Sequence, residues 1–208
     1  MDTRRFITIE GTEGAGKTSA LATLRDWIIT RGDDPLVTRE PGGTALGEEL
    51  RAVLLGHREQ GMTAEAEVLL MFAARAEHIE TVIKPALRAG RWVICDRFTD
   101  ASLAYQGGGR GLGVERVRGL ADWLQGDLQP GLTLWLDLPV ETGLARAAGR
   151  SAPDRFESEH QRFFEAVRSA YARIARAEPD RICRVDAAPP LEQVQSAITA
   201  VLAARFDG

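Results

Sequence analysis

The sequence contains no long apolar run, few cysteine and aromatic residues, and no excess of positive charge. No segment is long and apolar enough for a signal peptide or a membrane span. The net charge of -4 argues against a protein whose main partner is nucleic acid, because such domains usually carry a strong basic excess. Cys95 and Cys183 lack both the spacing of metal ligands and the density of a disulfide scaffold. We therefore expect a cytoplasmic protein with two free thiols and no nucleic-acid or membrane partner.

The residues that are present are typical of a globular α/β protein. Apolar residues make up 44% of the 208 residues and charged residues 27%, which distinguishes the chain from a disordered one. This length allows one full hydrophobic core and is short for two ordinary domains. We therefore predict a single domain over residues 1–208.

Short β-rich runs alternate with segments of helical spacing. The predicted strands cover residues 6–10, 36–38, 92–95, 132–138 and 182–185. Their near-continuous apolar content is typical of parallel strands covered on both faces. Helical spacing ends at Gly32 and at Pro85, each of which predicts a helix stop, whereas residues 107–113 and 151–154 are predicted to be mobile surface loops. The alternation predicts an α/β fold in which helices flank a parallel β-sheet on both faces.

A phosphate-loop motif follows the first predicted strand. Its eight residues are Gly11, Thr12, Glu13, Gly14, Ala15, Gly16, Lys17 and Thr18. Glycines let successive N–H groups turn towards phosphate oxygens, and the following helix adds the positive end of its dipole. We expect Lys17 to reach the outer phosphates and the Thr18 hydroxyl to bind Mg²⁺. The motif alone leaves GTPases, ATP-driven machines and small-molecule kinases open.

Asp96 and Arg97 stand at the carboxyl end of another predicted strand. In a parallel sheet that edge also carries the phosphate loop. Asp96 could organise water on Mg²⁺ or the attacking phosphate oxygen, and the forked guanidinium of Arg97 could hold a phosphate. A surface ion pair after a core strand is the competing interpretation. We predict that both residues serve phosphoryl transfer.

Five motifs in this order resemble those of bacterial thymidylate kinases, along nearly the whole chain. They are the phosphate loop with Glu13, residues 38–44 (TREPGGT), 72–75 (FAAR), 96–98 (DRF) and 104–111 (AYQGGGRG). The resemblance implies a nucleoside monophosphate kinase of the P-loop fold, which transfers phosphate from ATP to dTMP with Mg²⁺ as cofactor and forms dTDP. It also implies a homodimer built from helix faces.

The resemblance further implies roles for residues around the acceptor. Those expected to hold the nucleotide and its phosphate are Arg39, Arg51 and Arg97, with Glu40 facing the sugar. Those expected to recognise the base are Phe72, Arg75, Ser102 and Gln106. Many relatives carry the stacking aromatic residue four positions before the arginine, where this chain has Met71, so Met71 and Phe72 are both candidates to cover the base. Tyr105 resembles the residue whose ring excludes a ribose hydroxyl.

Residues 146–158 resemble the mobile lid of these kinases, with the next helix expected near Ser158. Arg146, Arg150 and Arg155 lie there among helix-breaking residues, and such arginines can neutralise the migrating phosphoryl group and exclude water. Members of the family place a catalytic arginine in the phosphate loop or in the lid, and Gly14 stands where the loop type has arginine. The resemblance thus implies the lid type, with Arg150 and Arg155 as the main candidates and Glu13 pairing with a lid arginine on closure.

Three other functions compete with this one. A kinase for another nucleoside monophosphate would share the phosphate loop but not the set of base-contacting residues. A GTP-binding switch would need an Asn-Lys-x-Asp segment to specify guanine, and the sequence has none. A non-catalytic domain of the same fold is disfavoured by the intact Lys17, Thr18 and Asp96. The loop that contacts adenine is expected near residues 186–189.

Overall fold

The computed structural model describes residues 1–57, 59–148, 155–157 and 159–207, and five parallel strands form its sheet. The strands are β1 (Phe6–Glu10), β2 (Leu36–Arg39), β3 (Val93–Asp96), β4 (Leu132–Asp137) and β5 (Ile182–Asp186). Their order across the sheet is β2-β3-β1-β4-β5. All five predicted strands are confirmed, each boundary to within one residue. The apolar runs of β1, β3 and β4 are buried in the sheet, whereas β2 lies at its edge and Val37 is 43% exposed.

Helices cover both faces of this sheet, as predicted. They are α1 (Lys17–Ile29), α2 (Ala45–Leu55), α3 (Ala64–His78), α4 (Lys84–Arg88), α5 (Thr99–Ser102), α6 (Val114–Gln125), α7 (Val140–Ala147), α8 (Gln161–Ala177) and α9 (Leu191–Phe206). Helices α1 and α9 pack together on one face, over Ile7 and Ile9 of β1. The opposite face carries α3, α6 and α8, which share a second apolar cluster around Trp135 of β4. Helix α8 begins at Gln161, three residues after the predicted start near Ser158.

Pro85 does not end its helix, contrary to the sequence prediction. Helix α3 continues through a π-helical segment, Ile79–Ile83, directly into α4. In this wider turn the N–H of Lys84 bonds to the carbonyl of Ile79, and Pro85 then lies in the first turn of α4. A proline is tolerated there, because the first helical N–H groups need no partner within the helix.

The glycine-rich segment also differs from its prediction as a surface loop. Its first three residues belong to a π-helical segment, Leu103–Gly109, that packs against α8. A Cβ atom placed on Gly108 would lie 2.6 Å from the Cβ of Ala170, and one on Gly109 would lie 2.6 Å from the ring of Phe163. The glycines therefore permit close packing of two helical segments. The other predicted loop, residues 151–154, lies outside the described residues.

Gly108→Ala should therefore destabilise the protein by about 1–3 kcal/mol, although alanine normally favours helices, because the added methyl group overpacks the contact with α8. Chemical denaturation measures this free energy of unfolding. Thr199→Ala on the exposed side of α9 is the control, and it should stay within about 0.5 kcal/mol of the wild type. A Gly108→Ala protein as stable as this control would contradict the close packing.

Within the described residues, no helix has the length and apolar character needed to cross a membrane.

Candidate active site

The phosphate loop connects β1 to α1 at the carboxyl edge of the sheet. Gly16 has a left-handed backbone (φ 86°) and precedes α1, whose first residue is Lys17. The Nζ of Lys17 donates to the carbonyl oxygens of Gly11 (3.2 Å) and Thr12 (3.3 Å), so the amine curls back over the loop. Burial, together with the positive charge of Arg97, lowers the pKa of Lys17. An anion bound in the loop would raise the pKa of Lys17 again. Thr18, the next residue of α1, is exposed.

Gly14 allows the loop to contact helix α7. Its backbone is left-handed (φ 72°), and a Cβ atom there would collide with the carbonyl oxygen of Gly143. An arginine at this position would therefore have no room. The contact agrees with a phosphate loop that lacks its own catalytic arginine.

Asp96 and Arg97 lie beside the loop, at the end of β3, which pairs with β1. Among the described residues other than glycine, Arg97 alone has a positive φ (66°). Its N–H donates to the carbonyl of Ile9 at 2.9 Å. Such strain in a non-glycine residue persists where the surroundings hold it, commonly at functional sites. Asp96 Oδ1 is buried without a hydrogen-bond partner among the described residues.

Glu10 holds this strained turn in place. Its carboxylate accepts hydrogen bonds from the Phe98 N–H and from the Tyr171 hydroxyl, each at 2.7 Å. Burial, and then the negative charge of Asp100, raise the pKa of Glu10 to about 8. This role was not predicted, because a glutamate at the end of a strand is usually exposed.

The raised pKa of Glu10 predicts that the protein loses stability with rising pH. The unfolded chain releases this proton near pH 4.5 and the folded chain near pH 8, so the contribution is lost progressively between those values. In urea denaturation, the free energy of unfolding of Glu10→Gln should rise relative to that of the wild type by a few kcal/mol between pH 5 and pH 8. A difference between the two proteins that does not change with pH would contradict the assignment.

Glu13 connects the phosphate loop to Arg97 and Tyr105. It accepts hydrogen bonds from the guanidinium of Arg97 and the hydroxyl of Tyr105, both at 2.7 Å. Burial raises the pKa of Glu13, but the charges of Arg97 and Lys17 outweigh burial and bring the pKa below its ordinary value. The arginine that pairs with Glu13 among the described residues is thus Arg97 rather than one from the expected lid.

A cavity of about 210 Å³ brings the phosphate loop and the acceptor residues together. The predicted site residues that line it are Glu13, Gly14, Lys17, Glu40, Arg51, Arg75, Arg97, Ser102, Tyr105 and Gln106. The structure therefore places residues from five separate motifs around one space.

Arg75 is the most constrained side chain in this cavity. Its Nε donates to Glu40 (2.6 Å), and its Nη2 donates to the Phe98 carbonyl (3.0 Å) and the Ser102 hydroxyl (2.9 Å). Its Nη1 is buried without a hydrogen-bond partner among the described residues. An orphaned guanidinium donor in a cavity indicates a position for a ligand acceptor atom.

Phe72 does not line the cavity, so the expectation that it covers the base is not supported. Its ring is buried in the core, 4.6 Å from the guanidinium carbon of Arg75, and Met71 lines the cavity instead. One step along a helix turns a side chain by about 100°. That step directs Phe72 inwards and Met71 to the cavity.

Two acceptor residues occupy different positions from those expected. Arg39 is half exposed, pairs with Glu48 at 2.8 Å and does not line the cavity. Glu40 has both carboxylate oxygens engaged, one by Arg75 and one by His78, instead of presenting them to a sugar. Arg51 lines the cavity and donates to the Pro41 carbonyl at 2.9 Å.

The described lid arginines lie away from the phosphate loop lysine. Arg146 donates to the carbonyls of Ala187 (2.8 Å) and Ala188 (2.9 Å). Arg155 donates to the Leu54 carbonyl (2.8 Å) and pairs with Glu67 (2.7 Å). Neither lines the cavity that contains Lys17, because both guanidinium groups have other partners. Arg150 lies outside the described residues.

Glu67 and His78 were not predicted from the sequence, although both are fully buried beside the site. Glu67 accepts hydrogen bonds from Gln106 (2.8 Å) and Arg110 (3.1 Å) in addition to its pair with Arg155. Together with Met71 and Arg75 they are spaced at four, four and three residues along α3. This spacing puts Glu67, Arg75 and His78 on one face of a largely apolar helix, which was the available signal.

Other cavities lie outside the acceptor cavity. A groove of about 890 Å³ between β5, α7 and α8 is larger, but none of the expected site residues lines it. A cavity of about 160 Å³ lies beside the phosphate loop, lined by Gly16, Arg146 and Pro189 among others. The second one agrees with an adenine contact near residues 186–189.

Comparison with known proteins agrees with this geometry. The profile of the thymidylate kinase family matches residues 9–198. Over 200 residues the chain is 61% identical to the thymidylate kinase of Alkalilimnicola ehrlichii, covering 96% of this chain and 92% of that protein. It is 58% identical to the thymidylate kinase of Pseudomonas putida, covering 95% of each chain, and 52% identical to that of Teredinibacter turnerae, covering 97% and 98%. The chain belongs to the thymidylate kinase family.

Proposed function

We propose that the cavity between the phosphate loop and Arg75 binds dTMP, and that the phosphate loop presents ATP to it. As a member of the thymidylate kinase family, the chain is an enzyme that phosphorylates dTMP to dTDP with ATP as the donor. One observation carries the site assignment: the motif that holds a polyphosphate and the residues suited to a pyrimidine line the same cavity. We propose one domain, with residues 146–158 as its lid.

The base end of the cavity offers the donor and acceptor pattern of thymine. The free Nη1 of Arg75 is suited to donate to a base carbonyl oxygen, which cytosine lacks at position 4. Glu67 holds the amide nitrogen of Gln106, which leaves the amide oxygen to accept the N3–H of thymine. Met71 supplies an apolar, polarisable wall for the base, and Ser102 fixes Arg75.

Tyr105 is the residue that we propose selects the sugar. Its ring lines the cavity and its hydroxyl is anchored on Glu13, so the ring has little freedom to move aside. We propose that this ring excludes a ribose 2′-hydroxyl and favours deoxynucleotides. The role proposed for Glu40 changes accordingly, because it acts on the substrate through Arg75 rather than by direct contact with the sugar.

Positive charge at the other end of the cavity brings two anions together. Lys17, Arg51 and Arg97 line this space, and their charges offset the repulsion between the dTMP phosphate and the outer phosphates of ATP. A dTMP phosphate oxygen then attacks the terminal phosphorus in line, and the bond to ADP breaks without a covalent enzyme intermediate. Arg39 would have to leave Glu48 to contribute.

The residues beside the loop fit a magnesium ion. The Thr18 hydroxyl is exposed at the start of α1, and Asp96 Oδ1 is a buried carboxylate oxygen without a partner among the described residues. Hydroxyl and carboxylate oxygens are ligands that Mg²⁺ favours, usually with several water molecules retained. Mg²⁺ bound there would screen the charge on the ATP phosphates.

The lid arginines divide between the two substrates in this proposal. Arg146, in the small cavity beside Gly16 and Pro189, would contact the adenine side of ATP. Arg155, tied to Glu67, would close the acceptor side. Arg150 is the remaining candidate for the catalytic lid arginine, since Gly14 leaves no room for one in the phosphate loop.

The assignment is tested by a coupled assay of ADP release with ATP and Mg²⁺. The acceptors compared are dTMP, dUMP, the ribonucleotide TMP, dCMP, dGMP and AMP. We expect dTMP to have the highest kcat/KM, with dCMP rejected through Arg75 and Gln106 and the ribonucleotide through Tyr105. Equal use of dCMP would refute the proposed base contacts, and equal use of the ribonucleotide would refute the role of Tyr105.

We also propose that the enzyme is a homodimer formed through α3 and α6. An apolar groove of about 300 Å³ lies between them, lined by Val68, Leu69 and Leu120 among others. Leu69 is 58% exposed, and Trp123, one helical turn beyond Leu120, is 81% exposed. A second copy of this chain, as the family resemblance implies, would cover this face.

Leu69→Arg should therefore convert the dimer into a monomer, because a buried unpaired charge at the interface is costly. Light scattering after size-exclusion chromatography measures the mass. Leu191→Arg, on an equally exposed leucine of α9, is the matched control and should stay dimeric. Monomeric wild-type protein, or a dimeric Leu69→Arg variant, would refute the proposed interface.

A further inference from the structure

His78 is a buried titratable group that the proposed chemistry does not use. It is the last residue of α3, is 0% exposed and does not line the acceptor cavity. Its ring nevertheless bonds on both sides, with Nε2 at 2.7 Å from the Thr38 hydroxyl and Nδ1 at 3.0 Å from Glu40 Oε1. Both partners come from β2 and the residue that follows it, so His78 ties the end of β2 to α3.

The partners determine the arrangement of protons on the ring. An ionised Glu40 can only accept, so Nδ1 of His78 carries a proton and donates it. Nε2 can then accept from the Thr38 hydroxyl, which satisfies a neutral imidazole at both nitrogens. Gly43 packs closely on the same ring, since a Cβ atom there would lie 2.6 Å from Nε2. The ring therefore has a defined orientation and little room to rotate.

Glu40 transmits this position to the base-reading arginine. One of its oxygens receives the His78 bond, and the other receives the Nε of Arg75 at 2.6 Å. With Nε held there and Nη2 held by Ser102 and the Phe98 carbonyl, the plane of the guanidinium is fixed. Nη1 then has one direction available.

We infer that His78 is a positioning residue for acceptor recognition, which acts through Glu40 to aim Arg75 Nη1 at the nucleobase carbonyl. It touches neither substrate nor the transferring phosphoryl group. Loss of its bond to Glu40 releases the carboxylate and lets Arg75 tilt, which weakens binding of the acceptor without altering the phosphate end of the cavity. The inference rests on the proposed role of Arg75.

Two amide substitutions, each of which reproduces the position of one ring nitrogen, separate the two hydrogen bonds of the imidazole. The amide nitrogen of Asn in His78→Asn overlays Nδ1 and retains the bond to Glu40, whereas the amide of Gln in His78→Gln overlays Nε2 and retains only the Thr38 side. We expect His78→Gln to raise the KM for dTMP about tenfold, with kcat and the KM for ATP within about threefold of the wild type. It should also reduce the preference for dTMP over dCMP. In His78→Asn, both the KM for dTMP and the preference for dTMP over dCMP should be close to those of the wild type.

A merely structural role makes a different prediction. It would lower the melting temperature of one or both variants and leave the KM for dTMP and the preference over dCMP unchanged. That result, or equal KM values for the Asn and Gln variants, would overturn the inference.

Arg75→Gln in the same assays separates this inference from the proposed site. If it raises the KM for dTMP and His78→Gln does not, only the role of His78 fails. If Arg75→Gln itself leaves the KM for dTMP unchanged, the base contact fails and the role of His78 fails with it.

Discussion

Lys17→Met should lower kcat by about 10³-fold while the protein remains folded. The Lys17 amine lies over the phosphate loop, held by the carbonyls of Gly11 and Thr12. Its pKa is lowered by burial and by Arg97, so the charge is poorly compensated until a polyphosphate binds. Removing it takes away one of the cations that we expect to stabilise the charge developing on the transferring group. Initial rates of ADP release at saturating ATP and dTMP measure the effect.

Lys84→Met is the matched control for this substitution. Lys84 is the first residue of α4 and pairs on the helix surface with Glu80, four residues earlier in the chain. It does not line the cavity. Its replacement should leave kcat within about twofold, because an exposed pair contributes little. If Lys17→Met kept more than about a tenth of wild-type kcat, the phosphate loop would not be the site of transfer.

Arg97→Ala should reduce kcat/KM for dTMP by about 10³-fold, with effects on both constants. Its guanidinium lies between Glu13 and the ring of Tyr105, at the phosphate end of the cavity. The substitution removes a cation for the phosphates and also leaves the Glu13 carboxylate without its ion-pair partner, with only the bond from Tyr105 retained. Arg97→Lys keeps the charge but not the forked geometry, and it should recover only part of the loss.

The pH dependence of Arg97→Ala provides a second measurement of the same contact. Arg97 is the main opposing charge that lowers the pKa of Glu13 against burial. Without it the pKa of Glu13 rises, so the residual activity should decline at a higher pH on the acid side than wild-type activity does. Identical acid limbs, or an unchanged kcat/KM in Arg97→Ala, would contradict the role of this arginine.

The strands were predictable because their signal is local. β1, β3 and β4 are short apolar runs that are buried in the sheet, whereas β2 and β5 lie at its edges and are only partly buried. The phosphate loop was predictable for a similar reason, since its glycines and Lys17 serve a fixed backbone geometry next to β1. Both features depend on neighbours in sequence.

The two fold predictions that were wrong concern segments whose residue types are typical of a loop and of a helix end. Gly108 follows the composition of a loop, yet the approach of Ala170 on α8 makes it part of a helical segment. Pro85 follows the rule for a helix stop, yet the π-helical turn before it lets the helix continue. The residue types around Gly108 do not indicate the contact with Ala170, and those around Pro85 do not indicate the π-helical turn.

In the site, too, the residue types were predictable from the sequence, whereas their distant partners were not. The arginines were predicted as site residues, but which of them line the cavity depends on their ion-pair partners. Glu48 holds Arg39 outside, and Glu67 holds Arg155 away from Lys17. Glu40, expected at a sugar, instead joins His78 to Arg75 in a buried network. Such pairs are long-range, and the residue types alone do not specify them.

A crystal structure of the enzyme with dTMP and ADP would show whether dTMP binds in the cavity between the phosphate loop and Arg75. We expect the thymine ring to contact Met71 and its O4 to lie within hydrogen-bond distance of Arg75 Nη1. The dTMP phosphate should lie beside Arg97 and Lys17. A base placed outside this cavity, for example in the groove between β5 and α8, would contradict this assignment.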